Sequence, residues 1–159
     1  MVPAPVRIVQ ASGQLIAVIR ERVARADLSR IVPRYCGEVW EFARTAGLER
    51  PGRLVAVYLD GAITLECGVE VGAPFAGTGR VVCSRTPAGP AATATHVGAY
   101  EQLGQAHTAI RQWCADRGAS LAGPNWEVYG HWVEPPAQPR TDVYYLLNPG
   151  REEWACGQC

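Results

Sequence analysis

A carboxylate set among aromatic side chains is the arrangement in this chain best suited to chemistry. It lies in Asn125-Trp-Glu-Val-Tyr-Gly-His-Trp132. Along a strand, alternate residues point to opposite faces, so Asn125, Glu127, Tyr129 and His131 share one face while Trp126, Val128 and Trp132 share the other. A second run, Leu54-Val-Ala-Val-Tyr58, ends on the same Val-Tyr pair and carries Ala56 where the later run carries Glu127. Taken singly, a strand glutamate is as well explained by solvent or a nearby arginine, and a strand tyrosine by packing. Two matched tyrosines flanking one carboxylate suit a flat guest that is hydrophobic or cationic. A desolvated carboxylate near water can also act as a general base. Glu127 and Tyr129 are therefore the candidate catalytic residues of an enzyme. Glu127, Tyr129, Tyr58, Trp40, Trp132 and His131 are the candidate ligand-binding residues.

These residues belong to a repeat. At an offset of 71 residues Gly47 falls on Gly118, Gly52 on Gly123, Val57 on Val128 and Tyr58 on Tyr129. Phe42 falls on Trp113, Val39 on Ile110 and Val32 on Leu103. Steps of three and four between Tyr100, Leu103, Ala106, Ile110 and Trp113 predict a helix over 99–117, closed by Gly118. Ile31, Tyr35, Val39, Phe42 and Ala46, closed by Gly47, predict its counterpart, with Pro33 near its start. Trp40 stands one residue off that stripe, where it either turns to a cleft or covers its rim.

A strand follows each helix, over 53–59 and 125–132. Asp60-Gly61 predicts a two-residue hairpin into a strand over 63–71. The second hairpin is longer and leads to a strand over 142–147. Extended segments at 6–10, 15–20, 80–84 and 91–96 precede the helices, and Gly72 to Gly79 reads as a linker. The order strand, helix, strand, strand, twice over, predicts an α+β fold with an antiparallel sheet, helices on one face and a central ligand cleft. The whole chain, 1–159, reads as one domain with pseudo-repeats at 5–72 and 78–148 and a tail at 149–159. The wholly apolar Val55/Val57/Leu59 face is expected to pack under the helices, which would leave Ala56, Tyr58, Glu127 and Tyr129 on the helix-free face.

Composition narrows the function. Fifteen basic residues balance fifteen acidic ones over 159 residues, so the footprint of a nucleic-acid binder is missing. Without a signal-like N-terminus or a long apolar run, the expectation is a cytoplasmic protein with no membrane partner. Cys36, Cys67, Cys83 and Cys114 read as small buried hydrophobes in a reducing compartment. Cys156 and Cys159 form half a zinc site at best. No metal and no cofactor is expected.

His96-Val-Gly-Ala-Tyr100, Leu103, Trp113, Gly118, Gly123-Pro-Asn-Trp-Glu-Val-Tyr129 and Thr141-Asp-Val-Tyr-Tyr-Leu-Leu147 resemble the GyrI-like family of bacterial effector-binding domains. The likeness is specific from about His96 to Leu147 and looser before it. It implies duplicated strand–helix–strand–strand units around a cleft, with Glu127 as the acidic residue at the base and Tyr58 and Tyr129 as its walls. His96 and Tyr100 would fix the strand-to-helix turn and the helix's inner face. The first strand begins within ten residues, so a standalone member without direct DNA binding is expected.

Three functions compete. The first is binding of small hydrophobic or cationic aromatics, as in drug or toxin sequestration and self-resistance. The second, implied by standalone relatives, is hydrolysis of the cyclopropane ring of DNA-alkylating natural products, with Glu127 as general base. The third is shielding of a protein partner such as a topoisomerase.

Overall fold

The computed structural model describes residues 5–60, 64–130 and 137–149. Two units of identical order make it up. The first contains β1 (Arg7–Ser12), β2 (Leu15–Arg22), α1 (Leu28–Thr45), β3 (Leu54–Tyr58) and β4 (Thr64–Glu70). The second contains β5 (Val81–Arg85), β6 (Ala88–Val97), α2 (Leu103–Arg117), β7 (Leu121–Tyr129) and β8 (Arg140–Leu147). One 3-10 turn leads into each helix, at Arg25–Asp27 and Tyr100–Gln102. Gly47 and Gly118 follow the helices at φ of 65° and 68°, the left-handed conformation that glycine adopts without strain. No described helix is long and apolar enough to cross a membrane.

The eight strands of the described residues form one antiparallel sheet in the order β1-β6-β8-β7-β3-β4-β2-β5. Each unit lends its first strand to the other: β1 pairs with β6, and β5 with β2. Only Gly13 and Gln14 separate β1 from β2, although β1 is the first strand in that order and β2 lies next to the last. The sheet must therefore curl until its ends meet. Where they meet, Gln14 N donates to Thr86 Oγ1 and Thr86 N to Gln14 O, both at 2.9 Å. Arg85 Nη1 reaches Gly13 O at 2.9 Å, and Gly13 makes the turn at φ 78°.

Curling buries both faces of the sheet, and this corrects the expected placement of the helices. Val55 and Val57, joined by the partly buried Leu59, pack with Ile16, Val18, Ala91, Trp126 and Val128 inside the curl, away from α1 and α2. The helices lie on the other face. Val32, Tyr35, Cys36, Val39 and Ala43 of α1 pack on Ala17, Ile19, Ala56, Leu65, Cys67 and Val69, with Tyr58 and Tyr129 at the margin. Leu103, Ala106, Ile110 and Cys114 of α2 pack on Ala92, Ala94, Val143, Tyr145 and Leu147. Small residues such as Ala17, Ala56 and Ala92 let a helix approach the sheet closely, whereas the β-branched residues fill the curl. Ala56, Tyr58, Glu127 and Tyr129 thus share the helix-bearing face rather than the helix-free one.

Leu59 N bonds to Thr64 O at 2.9 Å and Asp60 Oδ1 accepts from Thr64 N at 2.9 Å; Gly61 of the expected two-residue turn lies outside the described residues. Cys36, Cys67 and Cys114 are buried as expected, while Cys83 is only partly covered. The Cys36 and Cys67 sulfurs lie 3.2 Å apart beneath α1, and Cys36 together with burial pushes the Cys67 thiol up. Cys156 and Cys159 lie outside the described residues.

Candidate functional site

β3 and β7 are neighbours at the centre of the sheet. α1 rests mainly on β2 and β4, and α2 on β6 and β8. The two helices therefore flank a trough whose floor is β3 and β7. The register pairs Ala56 with Glu127, the same two residues that the 71-residue offset matches. That pair sits on the pseudo-twofold axis, with a methyl from one unit beside a carboxylate from the other.

Glu127 is 6% exposed, and a charge buried that far requires partners. It has three. Tyr129 donates to Oε1 at 2.6 Å and Tyr58 to the same oxygen at 3.3 Å. His107 Nε2 meets Oε2 at 2.6 Å. Burial, then the nearby Glu127 charge, pushes the Tyr58 and Tyr129 phenols well above their usual range, so both hydroxyls keep their protons and donate. A second layer lies behind His107. Its Nδ1 is 2.6 Å from the Tyr145 hydroxyl, which in turn accepts from Arg111 Nη1 at 2.9 Å. Burial raises the Tyr145 pKa, and Arg111 pulls it back down.

Sequence reasoning brought together Glu127, Tyr129 and Tyr58, and these three meet in the structure. It missed His107, Tyr145 and Arg111. A signal was available: His107 stands one turn after Leu103 and three residues before Ile110, so it is a polar residue on the inner face of α2. Trp113, expected on that face, packs partly buried against the α2 core beside the fully buried Cys114, and the Arg117 guanidinium covers its ring at 4.5 Å.

His96 Nε2 is 2.9 Å from Ala99 O, so this side chain does fasten the strand-to-helix turn. Tyr100 departs from expectation. It is 53% exposed rather than on the helix's inner face, and its ring stands edge-on to Tyr129 with centroids 6.0 Å apart. Tyr100 therefore forms part of the trough's rim. Trp40 is 36% exposed on the flank of α1, one turn beyond Cys36, with no hydrogen bond or ring contact to the Glu127 group among the described residues. His131 and Trp132 lie outside the described residues.

A concavity of about 320 Å³ opens elsewhere, inside the curl, beside Arg53, Glu70, Trp126 and Tyr144. Its charges are already matched, because Arg53 binds Glu70 Oε1 at 3.1 Å and Asp142 Oδ2 at 3.3 Å. The trough differs: among the described residues the groups around its buried carboxylate are phenols and an imidazole, with no guanidinium or ammonium on the carboxylate itself.

Solved structures share this fold. The C-terminal domain of EcmrR is similar at a TM-score of 0.72 and 19% identity, over 91% of this chain and 98% of that one. SAV2435, solved bound to tetraphenylphosphonium, is similar at 0.66 and 11%, over 91% and 94%. A protein described as a hydrolase from Listeria innocua is similar at 0.60 and 10%, over 92% and 93%. No curated protein sequence matches the chain. The family model of the GyrI-like small molecule binding domain matches residues 4–147, and the chain belongs to that family.

Proposed function

We propose that the protein binds small hydrophobic or cationic aromatic molecules in the trough between α1 and α2, with Glu127 as the charged floor and Tyr58, Tyr129 and Tyr100 as aromatic walls. The carrying observation is a buried carboxylate, on the pseudo-twofold axis, whose hydrogen-bond partners are two phenols and an imidazole. The Tyr58 and Tyr129 hydroxyls close over Glu127. A guest enters as their rings swing aside, and its positive charge compensates the carboxylate while the rings take up its flat surface. Sequestration of a toxic compound would follow from binding alone. The structural likeness to a tetraphenylphosphonium complex makes that cation a suitable probe.

Titration calorimetry with tetraphenylphosphonium tests the reading. Wild-type protein should bind it with heat, and Glu127→Gln should bind at least tenfold more weakly. Equal affinity in the two proteins would remove Glu127 from the site.

A second reading is hydrolysis, favoured by the 2.6 Å His107–Glu127 contact, which places two proton-exchanging groups together. In it Glu127 takes a proton from water, His107 holds Glu127 in place, and a recovered compound gains the mass of one water. A candidate cyclopropane compound returned unchanged would leave the binding role alone standing.

A further inference from the structure

The chain from Arg111 to Glu127 fits two protonation states of His107 with the same heavy-atom positions. Arg111 is always a donor, so the Tyr145 oxygen accepts from it. When His107 is neutral, Tyr145 gives its hydroxyl hydrogen to Nδ1, and Nε2–H donates to Glu127. When His107 is an imidazolium, Nδ1–H donates to the same Tyr145 oxygen, and the hydroxyl hydrogen turns away. Nε2–H donates to Glu127 in both states. Gaining or losing the Nδ1 proton therefore costs one hydroxyl rotation.

The surroundings decide which state is favoured. Facing the pair are Glu127 and Tyr129 from β7, Tyr58 from β3, Tyr145 from β8 and Arg111 from α2 itself. The Cys36 and Cys67 thiols lie buried on the α1 side, 3.2 Å apart. Glu127 carries the only negative charge in this set, and Arg111 reaches it only through Tyr145. The geometry therefore lets an imidazolium at His107 balance that carboxylate. A cation seated against Glu127 disfavours the imidazolium, since two cations then crowd one carboxylate.

We propose that His107 is a built-in counter-cation for Glu127, and that a cationic aromatic guest binds in exchange for the imidazolium proton. The inference rests on the binding role given to the trough and adds a specificity device to it. The exchange balances as imidazolium plus cation going to neutral imidazole, bound cation and one proton taken up by buffer. A neutral guest has no charge to offer and leaves that proton in place. Recognition of a cation then strengthens as pH rises across the titration of His107, by up to about tenfold per pH unit.

The test uses ethidium, whose charge is permanent, and 6-phenylphenanthridine, its neutral ring analogue. Calorimetry in two buffers of different ionisation enthalpy counts the protons released. Wild-type protein should release a fraction approaching about one proton per ethidium and none with the neutral analogue. His107→Gln should bind ethidium with no release. Histidine ring resonances of the wild type, followed by NMR with and without ethidium, give the same answer without any variant: His107 should lose its proton on binding. Ethidium binding without proton release would overturn the exchange and leave the trough as a binding site. Equal release with the neutral analogue, or in His107→Gln, would overturn it as well. If ethidium leaves the His107, Tyr58 and Tyr129 resonances unmoved, both the exchange and the trough reading fall.

Discussion

The two units of this molecule build the same scaffold and load it differently. Where the first places Ala56, Cys36 and Trp40, the second places Glu127, His107 and Arg111, at the same offset that matches their helix cores. Val39 and Ile110, equivalent in the two helices, are both fully buried. The apolar half shows that this site needs no carboxylate or imidazole to fold. In the other half a buried charge is held by groups that can release it. A second buried carboxylate sharpens the contrast. Glu66, 1% exposed, receives Arg20 Nε at 2.7 Å and Ser84 Oγ at 2.9 Å. A permanent guanidinium closes Glu66 to any guest, whereas phenols and an imidazole leave the Glu127 charge available.

The largest effect should come from erasing the asymmetry. Ala56→Glu would bury a second carboxylate beside the first, against thiols rather than hydroxyl donors, and should cost about 3–5 kcal/mol of stability in urea unfolding. Next, Glu127→Gln should cost a cationic guest at least about tenfold in affinity, or roughly 1.4 kcal/mol, while a neutral aromatic stays within threefold. Glu66→Gln inverts that pattern, lowering stability by about 1–3 kcal/mol and leaving guest affinity unchanged.

Within the trough, Tyr129→Phe should weaken binding and stability more than Tyr58→Phe, because the hydroxyl contacts are 2.6 and 3.3 Å; each costs about 1 kcal/mol or less. The smallest effect is on alkaline stability. Tyr58, Tyr129 and Tyr145 all have folded pKa values raised above the unfolded one, about 10. Their contribution is complete below that pH and is lost as pH climbs above it, since only the unfolded chain releases those protons readily. Chemical denaturation above pH 10 should show this fall, and it should be shallower in Tyr129→Phe.

Element order, the repeat and the carboxylate with its two tyrosines were legible because they rest on local patterns: alternation, three- and four-residue steps, and glycines at helix ends. The face bearing the helices was not. Val55, Val57 and Leu59 read as a helix-facing stripe, but a sheet curled end to end buries both faces, and apolar pattern alone cannot rank them. His107 escaped because its partner Glu127 is 20 residues away and the two meet only once α2 settles on β6 and β8. Tyr145 and Arg111 depend on the same packing. Tyr100 was placed inward by its spacing from Leu103, yet it belongs to the turn before α2, where the helical period does not hold.

The most direct measurement is the structure of the protein with a bound aryl cation. The cation should sit at the Glu127 carboxylate, between α1 and α2, with the Tyr58 and Tyr129 rings turned from the positions described above to line it. A cation seated inside the curl beside Arg53, Trp126 and Tyr144, with the hydrogen bonds of Glu127 unchanged, would contradict that placement.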